Sequence, residues 1–348
     1  GAGSNAYFND AAFKEMGAVI QPDARTLLSE ADLILKLQPP MAHASGVHEV
    51  DMMKSGAMLL TTLLPTKNLD AVKRLADRGV TAFATDCIPR ITRAQSMDTL
   101  SSMSNIGGYK AVLVAANELP KYFPMFMTAA GTVMAAKVFV IGAGVAGLQA
   151  IATAKRLGAI VEATDTRPAV KEQIESLGAK YVGVDTSEAA QDAGGYAKEL
   201  SQDFYKKQSE LIGQRCALND VVITTALIGG VKAPKLITAD MVRGMKPGSV
   251  IVELAAEAGG NCELTKPGTT TIEHGVKIIG PTNLPATMPL HASTLYSRNL
   301  LTFIMNFWKD KQFMFDLNDD ILKGCTITHG GQILHAATLA AIQQGAGA

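Results

Sequence analysis

Three glycines at fixed spacing stand between a strand-like run and a helix-like run. Gly142, Gly144 and Gly147 form GxGxxG directly after "KVFVI" and before an apolar helical pattern. The first glycine permits a tight turn, the second lets the backbone approach a pyrophosphate, and the third allows the helix to pack closely on the strand. The helix N-terminus also favours negative charge. GxGxxG alone occurs by chance in many chains, but this context predicts a dinucleotide site rather than a glycine turn without a ligand.

A carboxylate follows where a dinucleotide site requires one. Asp165 ends the next strand-like run, 23 residues after Gly142. At that position it would accept both ribose hydroxyls of an adenosine and repel a 2′-phosphate, which favours NAD(H) over NADP(H). Arg167 weakens this distinction, because an arginine nearby can accommodate the phosphate. We interpret Arg167 as lying over the adenine or bonding to backbone, so the pattern predicts NAD(H).

A second group of polar residues lies in "PRITRAQSMDTLSS", which begins at Pro89 and leads into a predicted helix from Ser96 to about Leu119. Its side chains that could bind a ligand are Arg90, Arg93, Gln95, Asp98 and Ser101. They are compatible with a well-capped, solvated helix start. They are equally compatible with fixed donors and acceptors for a polar ligand, and both interpretations stay open at this point.

Residues that could move a proton are scarce. A typical dehydrogenase transfers a proton through a His or Lys near the nicotinamide. We expect none of the six histidines to lie at a strand end of the first domain where a substrate would face the nicotinamide, and we interpret His43 and His48 as solvated loop residues. Lys36, in a strand with apolar neighbours, is the best isolated candidate for function, although such a lysine can extend its amine to the strand edge.

The elements that must position these residues alternate between strand and helix. "ADLILKLQPP", "AMLLTTLLP" and "TAFATDCIPR" predict strands, and "TKNLDAVKRLADRG" predicts a helix with a glycine stop. After the glycine motif, "NDVVITTALIGG", "PGSVIVELAAEAGG" and "GVKIIGPTNLP" predict three more strands. Such βα alternation predicts parallel sheets. The last 20 residues are expected to fray.

The length of 348 residues predicts two domains. We place a first α/β domain at residues 1–124, completed by 291–348 through the helix "HASTLYSRNLLTFIMNFWKD", and a nucleotide-binding Rossmann domain at 125–290. The polar stretch from Asp185 to Arg215 is long for a compact domain, which indicates a lid or a passive insert. The opening residues lack a Met and resemble a domain interior, so we expect an N-terminal segment to be missing.

Composition excludes several classes of protein. Hydrophobic residues make up 47% of the chain and charged residues 18%, as in ordinary globular α/β enzymes. Lys+Arg and Asp+Glu are equal at 32 each, so net charge attracts neither nucleic acid nor an anionic membrane. We find no uninterrupted apolar run of about 20 residues. Four widely spaced cysteines favour buried free thiols in a reducing cytoplasm, and we expect no metal site.

Taken together, these stretches resemble the NAD(H)-binding domain (domain I, or the alpha subunit in bacteria) of the proton-translocating nicotinamide nucleotide transhydrogenases. "PRITRAQSMDTLSS" looks like the RQD loop of that family, and "VFVIGAGVAGLQAIATAKRLGAIVEATDTRPAVKEQIESLGAKYV", "TTALIGGVKAPKLIT" and "KPGSVIVELAAEAGGNCE" are similarly close. The resemblance covers nearly the whole chain, although roughly the first strand–helix unit of the family is absent.

The resemblance implies an α/β fold of two Rossmann-like domains, with the second inserted into the first and NAD in the cleft between them. It implies direct hydride transfer from NADH to NADP+, with NADP(H) held by a partner domain (domain III) and protons moved by a membrane domain (domain II). It further implies a homodimer that is cytoplasmic and peripheral on the inner face of the bacterial membrane through its partner subunits.

The resemblance also assigns roles to individual residues. Arg90, Gln95 and Asp98 match the RQD triad near the nicotinamide, with Ser101 one turn further along and Arg93 in the same loop. The implied nucleotide contacts outside that loop are Gly142, Gly144, Val145, Gly147, Asp165, Thr166, Arg167, Gly195, Tyr196, Gln208 and Leu227. Gly195 and Tyr196 fall in the stretch that resembles the mobile loop of the family, and Gln95 is expected to offer its amide to the nicotinamide carboxamide.

Alanine dehydrogenase shares this fold family and is the main alternative. It carries a catalytic His after the strand that corresponds to "AMLLTTLLP" and a substrate-binding Lys at the position of Lys36. Here Thr62, Leu63 and Leu64 stand where the His would be, and Glu257 stands where an Asp would be. The hydroxyl of Thr62 and the two leucines cannot move a proton at neutral pH, which argues against amino-acid oxidation. A non-catalytic NAD-sensing module is a third hypothesis, but it would be expected to have a degraded RQD loop.

Overall fold

The computed structural model of this chain describes residues 1–184, 201–227 and 232–345. Its helices are α1 (Asp10–Glu15), α2 (Ala24–Glu30), α3 (Glu49–Met52), α4 (Leu69–Asp77), α5 (Thr99–Glu118), α6 (Val145–Arg156), α7 (Lys171–Ser176), α8 (Gln202–Leu218), α9 (Ala239–Arg243), α10 (Pro289–Phe307), α11 (Asp320–Cys325) and α12 (Ala336–Gly345).

The strands are β1 (Leu33–Leu35), β2 (Met58–Thr61), β3 (Thr81–Ala84), β4 (Phe126–Thr128), β5 (Gly131–Val133), β6 (Lys137–Ile141), β7 (Ile160–Thr164), β8 (Lys180–Tyr181), β9 (Val221–Thr224), β10 (Val250–Glu253), β11 (Thr270–Glu273), β12 (Val276–Ile279), β13 (Trp308–Lys309), β14 (Gln312–Phe313), β15 (Thr326–His329) and β16 (Gln332–Ile333). The chain divides into unit 1, residues 1–102 with 289–348, and unit 2, residues 103–288.

Unit 1 is built on a five-stranded sheet in the order β1-β2-β3-β15-β16. The first three strands are parallel, and β15 runs antiparallel to β3. On α4, Val72 and Leu75 are fully buried because the apolar residues of this helix recur on one face. They pack with Leu59 and Ile327 from the sheet in one hydrophobic cluster.

The C-terminal segment completes unit 1 through aromatic packing. Phe303 on α10 lies 5.5 Å from the ring of Phe83 on β3, and Phe313 on β14 lies 5.4 Å from that ring. Phe83 and Phe303 are almost fully buried. Such tilted aromatic pairs bury large apolar areas, so the two distant parts of the sequence form one core.

Unit 2 is built on a seven-stranded sheet in the order β11-β12-β10-β9-β6-β7-β8. All neighbours are parallel except β11, which pairs antiparallel with β12 at the edge. Along β6, Val138 and Val140 join one hydrophobic cluster while Phe139 and Ile141 join another. A parallel strand that is buried on both faces reads as a continuous apolar run, as "KVFVI" does.

The strand order of unit 2 is that of a doubly wound dinucleotide-binding sheet. From β8 through β7, β6, β9 and β10 to β12, the order reverses at the boundary between β6 and β9. In such open sheets ligands bind outside the carboxyl ends of the strands at this reversal. The fold therefore directs attention to the residues that follow β6, β7, β9 and β10.

The division between the units differs from the boundaries expected from the sequence. The helix expected in the first domain is α5, and all but its first turn lies in unit 2. Its buried residues Ala111, Val112 and Ala115 pack with Val138 and Val140 of β6. Packing therefore changes unit at Ser102/Met103 and Met288/Pro289 instead of at residues 124 and 290.

Some elements were not expected from the sequence. The second half of the polar stretch forms α8, which buries Phe204, Gln208, Ile212 and Cys216 at intervals of four residues. The antiparallel pair β4–β5 and the helix α12 were also missed, so the expectation of a frayed C-terminus is wrong up to residue 345. None of the helices in the described part of the chain combines the length and apolar character that crossing a bilayer requires.

Candidate nucleotide-binding site

The turn after β6 can be made only by glycine at two positions. Gly142 has φ +94°, and a Cβ there would lie 2.6 Å from the Thr225 hydroxyl oxygen. A Cβ on Gly147 would overlap the carbonyl oxygen of Gly142, because the first turn of α6 lies directly on the end of β6. The first and third glycines therefore have the steric roles that the sequence predicts.

The second glycine leaves the N-terminus of α6 open. Gly144 is the N-cap. Among the described residues, no side chain caps the helix and, apart from the chain neighbours of Gly144, no atom lies within 4 Å of the place where its Cβ would be. The backbone N–H groups of the first turn, beginning at Val145, therefore have room for an anionic ligand. Their donors and the helix dipole suit a pyrophosphate.

Helix α5 supports this turn from behind. A Cβ on Gly108 would overlap the carbonyl oxygen of Ala146, so α5 touches the first turn of α6 backbone to backbone. Such close approach is possible only where a glycine lies at the crossing. Gly108 is a site-supporting residue that sequence reasoning missed, because a glycine in a helical pattern gives no sign of its contact.

Asp165 lies at the carboxyl end of β7 and is hydrogen-bonded on both oxygens. Its Oδ2 accepts from the backbone N–H of Ala143 in the glycine turn at 2.8 Å, and its Oδ1 accepts from the backbone N–H of Arg167 at 2.8 Å. Only 8% of the Asp165 side chain is exposed. The carboxylate is therefore fixed beside the glycine turn, as a ribose-binding carboxylate must be.

Arg167 forms a bidentate ion pair with Asp165. Its Nε donates to Oδ1 at 2.9 Å, and its Nη2 donates to Oδ2 at 2.9 Å. The hydrogen bonds from the guanidinium to the carboxylate raise the pKa of Arg167 above its usual value. The structure thus shows Arg167 bonded to the carboxylate beside it, a contact that the sequence interpretation did not include.

The end of β9 forms a wall of the glycine turn. The Thr225 hydroxyl donates to the carbonyl oxygen of Gly142 at 2.9 Å, and the Thr225 N–H donates to that of Ile141 at 2.8 Å. Leu227, two residues later, is 49% exposed. Thr225 was not predicted as a site residue, although its place in "TTA" at the end of a buried strand could have indicated it.

Four further predicted contacts belong to unit 2, and the structure describes two of them, Thr166 and Gln208. Thr166 is half-buried next to Asp165. Gln208 is 7% exposed on the core-facing side of α8. Gly195 and Tyr196 lie outside the described residues, so their predicted roles, and those of Thr166 and Gln208, stay predictions.

The loop in unit 1 contains both a helix cap and exposed polar groups. Asp98 precedes α5, accepts from the Ser101 N–H at 2.9 Å and accepts from the Ser101 hydroxyl at 2.5 Å. The Arg93 Nη2 donates to Asp319 at 2.6 Å. Arg90 and Gln95 are exposed. Asp98 and Ser101 therefore cap the start of α5, and the predicted ligand roles of the loop residues stay predictions.

Side chains at the carboxyl edge of the unit 1 sheet are bonded to one another. The Tyr296 hydroxyl donates to the carbonyl oxygen of Lys36 at 2.9 Å and lies 3.3 Å from the Thr62 hydroxyl, which lies 3.1 Å from that of Thr85. The Lys36 Nζ donates to Glu49 at 3.0 Å. Lys36, the best isolated candidate in the sequence, is thus a half-buried ion-pair partner.

The segment where alanine dehydrogenase would carry its histidine is held by a carboxylate. The Asp86 oxygens accept from the N–H groups of Leu63 at 2.7 Å and Leu64 at 3.1 Å. Leu63 is fully buried, and Leu64 has φ +47°, which is unusual for a residue with a side chain. Glu257, in unit 2, accepts from the N–H of Asn283 at 3.1 Å.

One histidine lies at a strand end of unit 1, because His329 ends β15. Since β15 is antiparallel to β3, this end lies beside Thr81, the first residue of β3, at the edge where the parallel strands begin. There the His329 Nδ1 lies 3.0 Å from the Thr81 hydroxyl and its ring stacks on Phe315.

The four cysteines carry free thiols, and burial raises the pKa of each. Cys216, Cys262 and Cys325 are buried and free, and Cys87 is partly buried and free. Burial raises the pKa of Cys216 to about 12, so its thiol stays protonated at neutral pH. Among the described residues, no group of three or more His, Cys, Asp and Glu side chains could hold a metal ion.

Comparisons with known proteins agree over nearly the full chain. The "Alanine dehydrogenase/PNT" N-terminal domain matches residues 1–107, and the C-terminal domain of the same name matches residues 111–336. The chain is 50% identical over 341 residues to an NAD(P) transhydrogenase subunit alpha protein of Rhodospirillum rubrum, covering 97% of this chain and 89% of that protein. It is 32% identical over 306 residues to alanine dehydrogenase 2 of Staphylococcus aureus, covering 86% of this chain and 74% of that one.

A solved structure shows the same fold. The crystal structure of the transhydrogenase from Sinorhizobium meliloti superposes with a TM-score of 0.85 at 44% identity, and the match covers 96% of this chain and 89% of that chain. The resemblance and the α/β fold class predicted from the sequence are thereby confirmed, and the chain belongs to the alanine dehydrogenase/PNT family.

Proposed function

We propose that this chain is the NAD(H)-binding component of a proton-translocating transhydrogenase. The observation that carries the proposal is the turn after β6, where Gly142 and Gly147 exclude side chains and no side chain of the described ranges caps the N-terminus of α6 at Gly144. This is the arrangement that a dinucleotide pyrophosphate requires. The Rhodospirillum rubrum relative, a transhydrogenase subunit by name, supports the reaction.

We propose NAD(H), and not NADP(H), as the nucleotide of this chain. Asp165 places a fixed carboxylate beside the glycine turn, where it would accept the ribose hydroxyls and repel a 2′-phosphate. The guanidinium that could have accommodated the phosphate, that of Arg167, is bonded to Asp165 through two nitrogens. NADP(H) is then expected on a partner, which we propose to be the domain III of the transhydrogenase.

The proposed chemistry needs no acid or base. The C4 hydride of NADH passes directly to NADP+, so NAD+ and NADPH form and no substrate proton is exchanged. The task of the protein is to hold the reacting carbons about 3–3.5 Å apart. Amino-acid oxidation would also require proton transfer. Here Lys36 is paired with Glu49 and Leu63 is buried, which favours transhydrogenation over the alanine dehydrogenase reaction.

In this proposal the loop from Pro89 to Ser101 orients the nicotinamide ring. The exposed Gln95 amide would bond to the nicotinamide carboxamide, and Arg90 would help to steer the ring. The Asp98–Ser101 cap fixes the end of this loop onto α5. A loop that only orients a ring needs fixed hydrogen-bonding groups and no titrating side chain.

The partners belong to the proposal as well. We propose that the chain docks on an NADP-binding domain III and a membrane domain II, acts as a homodimer, and is peripheral on the inner face of the bacterial membrane through these partners. In such a complex, hydride transfer on this chain is coupled to proton movement elsewhere.

Reconstitution tests the reaction. The isolated chain should bind NADH, seen as enhanced NADH fluorescence, but should reduce NADP+ only after a purified NADP-binding domain is added. Robust NADP+ reduction by the isolated chain would contradict the division of labour. NADH formation from NAD+ and L-alanine, followed by absorbance, would favour the alanine dehydrogenase reaction instead.

The loop is tested by Gln95→Ala in the same reconstituted system. We expect the rate of hydride transfer to fall roughly 10- to 100-fold, because the ring loses an orienting bond. The affinity for NADH and the melting temperature should change little. Ser96→Ala, an exposed neighbour whose backbone carbonyl bonds to Asn299, is the matched control. Equal rates of hydride transfer in both variants would show that the loop only begins the helix and does not orient the ring.

A further inference from the structure

Asn261 is a buried hydrogen-bonding centre outside the predicted site. It lies in the loop after β10 and is 0% exposed. Its Oδ1 accepts from the N–H of Ala226 at 3.0 Å, and its Nδ2 donates to the carbonyl oxygens of Ala226 at 2.8 Å and Pro234 at 2.9 Å. The side chain thus forms two hydrogen bonds with the backbone of Ala226, as a neighbouring strand would, and links Ala226 to Pro234.

The backbone of Asn261 is also fixed. Its N–H donates to Glu253 at 2.5 Å, and its carbonyl oxygen accepts from the N–H groups of Leu236 at 2.7 Å and Ile237 at 3.0 Å. Each polar group of Asn261 therefore has a partner in the protein. An amide that satisfies buried backbone groups in this way fixes the conformation of the chain around it.

Glu253 accepts the hydrogen bond from the Asn261 N–H and fixes the backbone around it. It is the last residue of β10, is 0% exposed, and accepts additionally from the N–H groups of Ala255 at 2.9 Å and Cys262 at 2.9 Å. Burial raises the pKa of its carboxyl group, and the backbone hydrogen bonds oppose that change. The carboxyl thus closes the loop from Ala255 to Cys262 into one compact turn.

The atoms that Asn261 holds adjoin the glycine turn. Ala226 directly follows Thr225, whose hydroxyl donates to the carbonyl oxygen of Gly142 at 2.9 Å. A Cβ on Gly142 would also lie 3.2 Å from the N–H nitrogen of Ala226. The end of β9 is therefore held by Asn261 on one side and lies against the nucleotide turn on the other.

We infer that Asn261 is a positioning residue for the nucleotide, acting through Thr225 and Ala226 on the glycine turn. The inference rests on the proposed binding of NAD(H) and adds to it a residue that no glycine motif or ribose carboxylate reveals. Asn261 holds the wall at the sheet reversal in place, so the affinity for NADH depends on a side chain that does not itself belong to the motif.

The test uses Asn261→Asp, which keeps the shape and removes both Nδ2 donors. An acceptor would then face the carbonyl oxygens of Ala226 and Pro234. We expect the Kd for NADH, measured by fluorescence, to rise about tenfold in the folded protein. A folded variant that binds NADH like the wild type would overturn the inference.

Asn219→Asp is the matched control. Asn219 is 2% exposed, and its Nδ2 likewise donates twice, to Glu162 at 2.8 Å and to the carbonyl oxygen of Arg215 at 2.8 Å. It lies two residues before β9, at the opposite end of that strand from Thr225. We expect a lower melting temperature with an unchanged Kd. A tenfold loss of affinity here too would show a general loss of stability and overturn the inference.

A double-mutant cycle tests the route from Asn261 to the turn. Thr225→Val removes the hydroxyl that bonds to Gly142 and should weaken NADH binding several-fold. Because both residues act on the same backbone, Asn261→Asp combined with Thr225→Val should weaken binding by much less than the product of the single effects. Multiplicative effects would overturn the proposed route.

A measurement on the wild type covers the case in which Asn261→Asp fails to fold. NADH should slow hydrogen exchange at the backbone N–H of Ala226, which donates to Asn261. Unchanged exchange at that amide in an NADH-saturated sample would contradict the inference. If the wild type bound no NADH at all, the proposed function itself would fail, an outcome distinct from either result.

Discussion

The two sheets of this protein end differently at the edges where their parallel strands finish. In unit 1 the polar groups at that edge bond to one another, as Tyr296 does to Thr62 and to the Lys36 carbonyl. In unit 2 Thr225 and Asp165 bond to the glycine turn at the corresponding edge, yet no side chain in the part of the chain that the structure describes caps the helix N-terminus at Gly144.

The difference shows what separates a strand edge whose side chains bond to one another from one that can bind a ligand. A strand end becomes a binding site when rigid neighbours hold backbone donors that no side chain satisfies. Unit 2 meets this condition with Gly142 and Gly147, where a Cβ would overlap neighbouring atoms of the turn. At the edge of unit 1 that the structure describes, the Tyr296 hydroxyl bonds to the Lys36 carbonyl and Lys36 forms an ion pair with Glu49.

The largest expected effect on the affinity for NADH comes from adding a side chain to the glycine turn. Gly147→Ala should weaken NADH binding about 100-fold, because the new Cβ would push α6 away from Gly142 and the pyrophosphate donors with it. Isothermal titration would measure the affinity. Gly213→Ala on α8 is the control, since its Cβ would make only ordinary contact with the Met241 side chain at 3.5 Å. An unaltered Kd in Gly147→Ala would mean that nucleotide does not bind at this turn.

Removing the charge beside the turn should have the next largest effect. Asp165→Asn is expected to weaken the binding of NADH roughly 10-fold, because one acceptor for the ribose hydroxyls becomes a donor. It should also reduce the preference of the protein for NADH over NADPH. Competition binding with both nucleotides measures the change. Glu162→Gln on the same strand, whose carboxylate bonds to Asn219, serves as control. A wild type that binds both nucleotides equally would contradict the assignment of NAD(H).

A variant at the unit 1 edge should alter stability without altering binding. Tyr296→Phe removes the hydroxyl that bonds to the Lys36 carbonyl and should lower the free energy of unfolding by about 1 kcal/mol. Urea denaturation measures this change, and NADH titration should give a Kd within about twofold of the wild type. A large rise in Kd at unchanged stability would show that this edge contributes to binding after all.

The smallest expected effect concerns pH and unit 1. Burial lowers the pKa of His335, while Asp86 raises it to a lesser extent, so the folded protein favours the neutral ring. A lowered pKa in the folded state means that stability is complete above the unfolded pKa of about 6.5 and declines as the pH falls below it. We expect a melting temperature on the order of 1 °C lower at pH 5.5 than at pH 7.5, a difference that His335→Gln removes. The same decline in His335→Gln would assign it to another group.

Much of the site was predictable because its parts are close in sequence. The strand, glycine turn and helix from Lys137 to Arg156 are local, and the Asp165 carboxylate follows by a spacing that the βαβ unit fixes. The same reasoning missed α8, although Phe204, Ile212 and Cys216 recur with helical spacing, because the surrounding charges hid the pattern. It also placed the unit boundary after α5, since a helical pattern in the sequence predicts a helix but not the core on which it packs.

By itself, the sequence determined the family, the α/β class and the two motifs, because each of these depends on residue types at short and fixed spacing. Only the tertiary structure decided which polar groups meet. Asn261 bonds to Ala226 across 35 positions, and Tyr296 bonds to Lys36 across 260. Such pairs depend on how strands and helices pack, and a polar residue in a loop has the same appearance in the sequence whether it faces water, a ligand or a distant backbone.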